Sequence, residues 1–170
     1  MFQKDELILY GTQGVCRIVD ICERAFGKMK NTYYVLAPVY DPRSTVYVPT
    51  DREALVAKMR RVLSKKEIVA LIRSMPEEKP AWVEDESLRR EQYRAVLAAG
   101  DRAELVRVIK ALYLHRQKQQ ENGKKLHLAD EVFLKEAEKL LYDEFALVLG
   151  LSREEVIPYI TREIEQHAAL

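Results

Sequence analysis

The sequence predicts an α+β protein, a small antiparallel β-barrel or curled sheet followed by an all-helical region. Three observations predict it. Residues 7–49 hold short β-branched and aromatic runs cut by glycine and proline turns. After Pro49 the apolar spacing lengthens from two residues to about three and a half. Glycines and Ser or Asp caps then recur at intervals suited to helices. The expected division is 1–53 for the β module and 54–170 for the helical domain.

The β module begins with LILY (7–10), a turn spanning Gly11 to Gly14, and VCRIVDICE (15–23). Gly27 breaks the chain before TYYVLAPVY (32–40), the densest β signal. Asp41-Pro42 marks a turn, and STVYVP (44–49) is the last clear strand, stopped by Pro49. A region of about fifty residues is marginal alone, and this one is expected to lean on the helical region.

The helical part opens with a short helix from Asp51, its apolar positions Ala54, Leu55, Met59 and Val62. Ser64 with Glu67 forms a capping box for a second helix, with Ile68, Leu71 and Ile72 on one face and Pro76 at its end. The next helix runs to about Ala99, with Trp82 at its lip and Leu88, Tyr93, Val96 and Leu97 inward. Gly100 closes it and Asp101, with Glu104, caps the following one. That helix carries Leu105, Val108, Ile109, Leu112 and Tyr113 inward and stops at Asn122-Gly123. A long helix over roughly 129–149 places Val132, Phe133, Ala137, Leu140, Leu141 and Phe145 on its apolar side, up to Gly150. Ser152 with Glu155 reads as another capping box, and Pro158 predicts a kink or restart in the last helix.

Composition narrows the function. Apolar content of 48% and charged content of 32% exclude disordered and collagen-like classes. The net charge of +1 conceals basic runs: five basic residues and no acid over 58–66, six against Glu121 alone over 107–125. A phosphate-rich partner is permitted, and a solvated helix face is the plainer alternative. Cys16 and Cys22 are too few for a disulfide framework, and their spacing, like that of His115, His127 and His167, matches no metal motif. No glycine-rich phosphate loop or nucleophile elbow occurs, so binding is expected rather than catalysis, with no cofactor. No apolar run approaches the length of a membrane span, and MFQKDEL lacks a signal peptide's apolar stretch, so a cytoplasmic protein is expected. Trp82, the single tryptophan, is either a packing wedge or a recognition tip.

Tyr10-Gly11 with Gly14, Tyr34-Val35-Leu36 and Val46-Tyr47-Val48-Pro49, followed by the lone Trp82 and the LAAGD corner (97–101), resemble the CarD/CdnL family of bacterial transcription regulators. The β module is also similar to the polymerase-interacting domain of transcription-repair coupling factors. The resemblance covers essentially the whole chain. It implies a Tudor/SH3-like barrel that docks on the RNA polymerase β subunit. It further implies a helical domain that meets promoter DNA at the upstream edge of the bubble, where the tryptophan enters the minor groove and stabilises the open complex. An apolar wedge can unstack a base step, while lysines hold phosphates without reading sequence.

On the polymerase side the resemblance implies Arg24, with Lys28 close behind, and Tyr47, which stands where the family often has arginine. On the DNA side it implies Trp82, with Arg89, Arg90, Lys124 and Lys125 as basic support. About four extra residues lie between Trp82 and the Gly-Asp corner, about one helical turn. Glu131 falls where a lysine is expected, with Lys124 and Lys125 just upstream. Glu77, Glu78, Glu84, Asp85 and Glu86 crowd Trp82 and would repel phosphates. The alternative reading is a protein-only adaptor, in which the helical domain binds a second protein.

Overall fold

The structure, a computed structural model, describes residues 1–169. The chain forms two compact units, Met1–Val62 and Leu63–Leu170. The first is a five-stranded antiparallel sheet, β1 (Leu7–Tyr10), β2 (Gly14–Phe26), β3 (Met29–Pro38), β4 (Val46–Pro49) and β5 (Met59–Arg61), in the order β4-β3-β2-β1-β5. It is consistent with a Tudor-like domain.

The region expected to be one helix from Asp51 to Val62 divides. A single turn, α1 (Glu53–Val56), is followed by β5, which pairs antiparallel with β1 through Leu9↔Arg60. Met59 is therefore a sheet residue, buried with Ile8, Cys16, Ile18, Tyr34, Leu36 and Val48. The sheet extends past residue 53, and the chain divides between Val62 and Leu63. Pairing with the free edge of β1 satisfies backbone groups that a second helical turn could not reach, and this tertiary gain overrides the local period.

A β-bulge sets the orientation of the long β2–β3 ribbon. Ile18 pairs with Leu36, whereas Asp20 pairs with Val35, which leaves Val19 as the extra residue. Strand side chains alternate faces, so in a regular strand without the bulge the even-numbered residues after Ile18 would continue onto the core face that Cys16 and Ile18 occupy. With it, Cys22, Arg24 and Phe26 emerge on the opposite face, across from Tyr33, Asn31 and Met29 respectively.

The second unit contains α2 (Lys65–Ser74), α3 (Glu86–Ala99), α4 (Arg102–Glu121), α5 (Leu128–Leu149) and α6 (Arg153–Ala168). Ser64 and Glu67 form the reciprocal capping box, Ser64 Oγ accepting from the Glu67 N–H at 3.1 Å and Glu67 Oε2 from the Ser64 N–H at 2.9 Å. Asp85 caps α3 and Asp101 caps α4 through their carboxylates. Gly100 and Gly150 close α3 and α5 in the left-handed conformation, φ 70° and 69°. Ser152 differs from expectation: its hydroxyl donates to the Glu155 carboxylate, and no helix N–H reaches it. Pro158 lies inside α6, which continues to Ala168 without a restart.

The helical core joins Ile68, Tyr93, Leu97, Leu105, Leu112, Phe133, Leu141, Phe145 and Val156. Leu88 and Val132, both expected inward, are 45% and 46% exposed. The inward stripe of α3 is Arg89-Tyr93-Leu97, and that of α5 runs through Asp130, Phe133, Leu134 and Ala137. Each stripe admits a charged residue and leaves the neighbouring aliphatic outside.

Glu144 is fully buried on the α5 stripe. Its oxygens accept from Arg102 Nε at 2.9 Å and Arg102 Nη2 at 2.7 Å, and Oε2 also accepts the Leu63 N–H at 2.9 Å. One carboxylate thus fixes the start of the helical unit against α4 and α5. Glu144→Ala is expected to destabilise this unit by about 3–5 kcal/mol, the cost of removing one partner from a buried pair. A thermal melt of the variant measures it, and a surface-like loss below about 1 kcal/mol would contradict the role.

Candidate functional site

On the β unit, the face turned outward by the bulge is aromatic. Phe26, Tyr33 and Tyr47 meet edge to face, with ring centroids 5.2 Å (Phe26–Tyr33), 5.5 Å (Phe26–Tyr47) and 6.2 Å (Tyr33–Tyr47) apart. The Arg24 guanidinium lies 6.0 Å from the Tyr47 ring centre. Phe26 is half exposed and Met29 more so. Lys28 is exposed in the turn at the ribbon's tip. The structure brings Arg24 and Tyr47 together as one surface and adds Phe26 and Tyr33, which local sequence pattern does not assign to a surface. The signal for them lies in the register: Tyr33, Tyr47 and Phe26 share a face once the bulge is counted. An exposed aromatic cluster beside an arginine has the composition of a protein-binding surface.

On the helical unit, Trp82 sits in the extended segment before α3, four residues ahead of it. The segment is held by its neighbours. The Ala81 N–H donates to the Arg107 carbonyl at 3.1 Å. Tyr93 Oη donates to the Ala81 carbonyl at 2.8 Å, and burial pushes this phenol's pKa up to about 12. Arg107 Nε donates to the Lys79 carbonyl. Lys110 Nζ donates to the carbonyls of Met75, Pro76 and Glu78 at 2.8–3.0 Å. Two cations of the basic run 107–125 thus serve backbone positioning.

Arg89, expected to address phosphates, is 4% exposed. Its Nε and Nη2 each donate to Asp130 at 2.9 Å, and Nη1 donates to the Val83 carbonyl at 2.9 Å. Burial opposes the guanidinium's charge, but the Asp130 hydrogen bonds and charge outweigh it and hold the pKa above its ordinary value. The sequence signal was spacing: Arg89 is four residues before Tyr93 and eight before Leu97, on the buried stripe. Its role is to anchor the Trp82 segment, and it offers no charge to an outside ligand.

Trp82 itself is partly buried against the helical core. Its ring stacks on His115 with centroids 3.9 Å apart and planes at 21°. The Arg89 guanidinium carbon lies 4.5 Å from the ring centre, and indole Nε1 donates to Glu84 Oε2 at 2.8 Å. The acidic flank has local work: Glu84 holds the indole, Asp85 caps α3, and Glu86 pairs with Arg90 at 2.7 Å. Arg90, Lys124 and Lys125 are exposed, the two lysines in the turn after α4. Glu131 is exposed in the first turn of α5.

Among the described residues no group of His, Cys, Asp and Glu is arranged to hold a metal ion, and no helix is long and apolar enough to cross a membrane. An open apolar groove of about 370 Å³ lies among Met75, Val106, Tyr113, Leu141, Ile157 and Ile164.

The chain matches the family model for the CarD-like/TRCF RID domain over residues 2–63 and that for the CarD C-terminal domain over residues 67–161. A search of curated proteins finds no match. The two matched regions follow the two compact units, and the second covers more than half of the chain. Family members of this kind are known as non-catalytic regulators. With both domains present in order, the chain belongs to the CarD family and is an RNA polymerase-interacting transcription regulator.

Proposed function

We propose that the β unit docks on the RNA polymerase β subunit through the Arg24–Tyr47 face, and that the helical unit stabilises the promoter open complex at the upstream edge of the bubble. The protein acts without catalysis, in the cytoplasm. The observation that carries this reading is Trp82: a large aromatic side chain at the surface, braced on both its ring and its N–H. A braced aromatic loses little conformational freedom on insertion, which suits a wedge at a base step. Lys124, Lys125 and Arg90 supply phosphate contacts that carry no sequence information. Arg89 acts behind Trp82 as an anchor.

The apolar groove favours a second reading, an adaptor whose helical unit binds another protein. Salt separates the two, because phosphate contacts make affinity fall steeply with salt and apolar contacts do not.

Arg24→Glu should weaken binding to the polymerase β subunit roughly tenfold, or about 1.4 kcal/mol, with an unchanged circular dichroism spectrum. The substitution reverses an exposed charge on a face that contains no core residue of Arg24's own, so unchanged affinity would move docking elsewhere.

Lys124→Glu combined with Lys125→Glu should weaken complexes by a similar factor on different promoters and flatten the salt dependence by about one unit of log–log slope per lysine. Altered promoter preference instead of a uniform loss would indicate base readout.

Trp82→Ala should cost about 1–3 kcal/mol of stability, the sum of an aromatic stack and a cation–π contact. It should also shorten open-complex lifetime in a competitor-challenged assay while polymerase binding survives. A melting-temperature loss with unchanged lifetime would make Trp82 a packing residue only.

A further inference from the structure

The groups around Trp82 differ in kind. Glu84 fixes the indole N–H, and Arg89, itself locked by Asp130 at both Nε and Nη2, lies over the ring. The stacking contact is His115, whose ring lies nearly parallel to the indole. His115 extends the inward stripe of α4 by one turn beyond Leu112 and Ala111, at the margin of the core. Two torsions set the orientation of a tryptophan, and a flat ring in contact along its plane restricts both.

We infer that His115 is the positioning residue for Trp82, holding the indole by stacking in the one orientation that Glu84 and Arg89 also engage. The inference rests on the DNA reading for its purpose and on geometry alone for its existence. His115 touches the wedge and is assigned no contact with DNA; it acts through Trp82.

Burial at this position favours the neutral imidazole. Arg89 already places one cation at the indole, and a charged His115 would set a second one beside it. Burial lowers the His115 pKa below its ordinary 6.5. The charges facing it come from several elements: Asp130 on α5 and Glu84 before α3 favour protonation, while Arg89 on α3 and Lys118 on α4 oppose it. The stack is therefore intact at neutral pH and loosens on acidification, with a midpoint below 6.5.

Trp82 is the only tryptophan, so intrinsic fluorescence of the whole protein reports on this contact directly. In the wild type, lowering the pH should reduce emission as the touching imidazole becomes charged, and should increase quenching by acrylamide as the ring is released. His115→Ala should remove the transition and raise acrylamide quenching already at neutral pH. The same variant should reduce the preference for a duplex ending in an unpaired A·T-rich fork, over the fully paired duplex, by about two- to tenfold, the worth of one aromatic contact. His115→Phe keeps a flat ring and should restore both protection and fork preference while still lacking the pH transition. A melting curve for each variant identifies general unfolding; if His115→Ala unfolds, the wild-type titration and His115→Phe decide. Equal quenching in His115→Ala and wild type, or a pH transition that persists in His115→Phe, overturns the inference. A wild type indifferent to the fork overturns the DNA reading instead, and the quenching data still decide whether His115 holds the ring.

Discussion

The presentation of Trp82 depends on the buried pair between Arg89 and Asp130. A guanidinium out of water is tolerated only with a partner of matching geometry, and Asp130 supplies both oxygens at 2.9 Å. The remaining donor of Arg89 reaches back to the Val83 carbonyl, so the pair that joins α3 to α5 also holds the segment next to Trp82. The same guanidinium then lies over the indole. A core interaction and a surface feature are thus one construction, and rigidity at the surface comes from satisfaction in the interior.

Several charges near that segment give internal support. Lys110 collects three carbonyls at the end of α2 and just beyond it, where helix C-terminal carbonyls lack intrahelical partners. Arg107 serves Lys79, and Glu84, Asp85 and Glu86 each have a partner nearby. An acidic cluster beside a tryptophan expected to meet DNA looks unfavourable in sequence. In the structure the indole N–H, a helix start and Arg90 take up these carboxylates, which reduces the negative field they present to an approaching phosphate.

In the β unit, one bulge decides which side chains of the long ribbon face outward. Val19 shifts the pairing between Ile18 and Asp20, and the even-numbered residues change faces at that point. Cys16 and Ile18 are core, whereas Arg24 and Phe26 stand on the exterior with Tyr33 and Tyr47. The aromatic triad and its arginine follow from this local break in register.

The sequence by itself determined the α+β order, the cap residues Ser64 and Asp101, the closing glycines 100 and 150, and the family motifs. Each of these rests on local chemistry within a few residues, where propensity and hydrogen bonding act along the chain. Tertiary structure decided the rest. Met59 joined the sheet because β1 offered it an unpaired edge. Arg89, Asp130 and Glu144 went inside, displacing Leu88 and Val132 to the surface, because their partners lie about forty or more residues away and geometry alone could match them. The stacking of His115 on Trp82 is of the same kind: two rings thirty-three positions apart in number, brought within 3.9 Å by helix packing that no local period encodes.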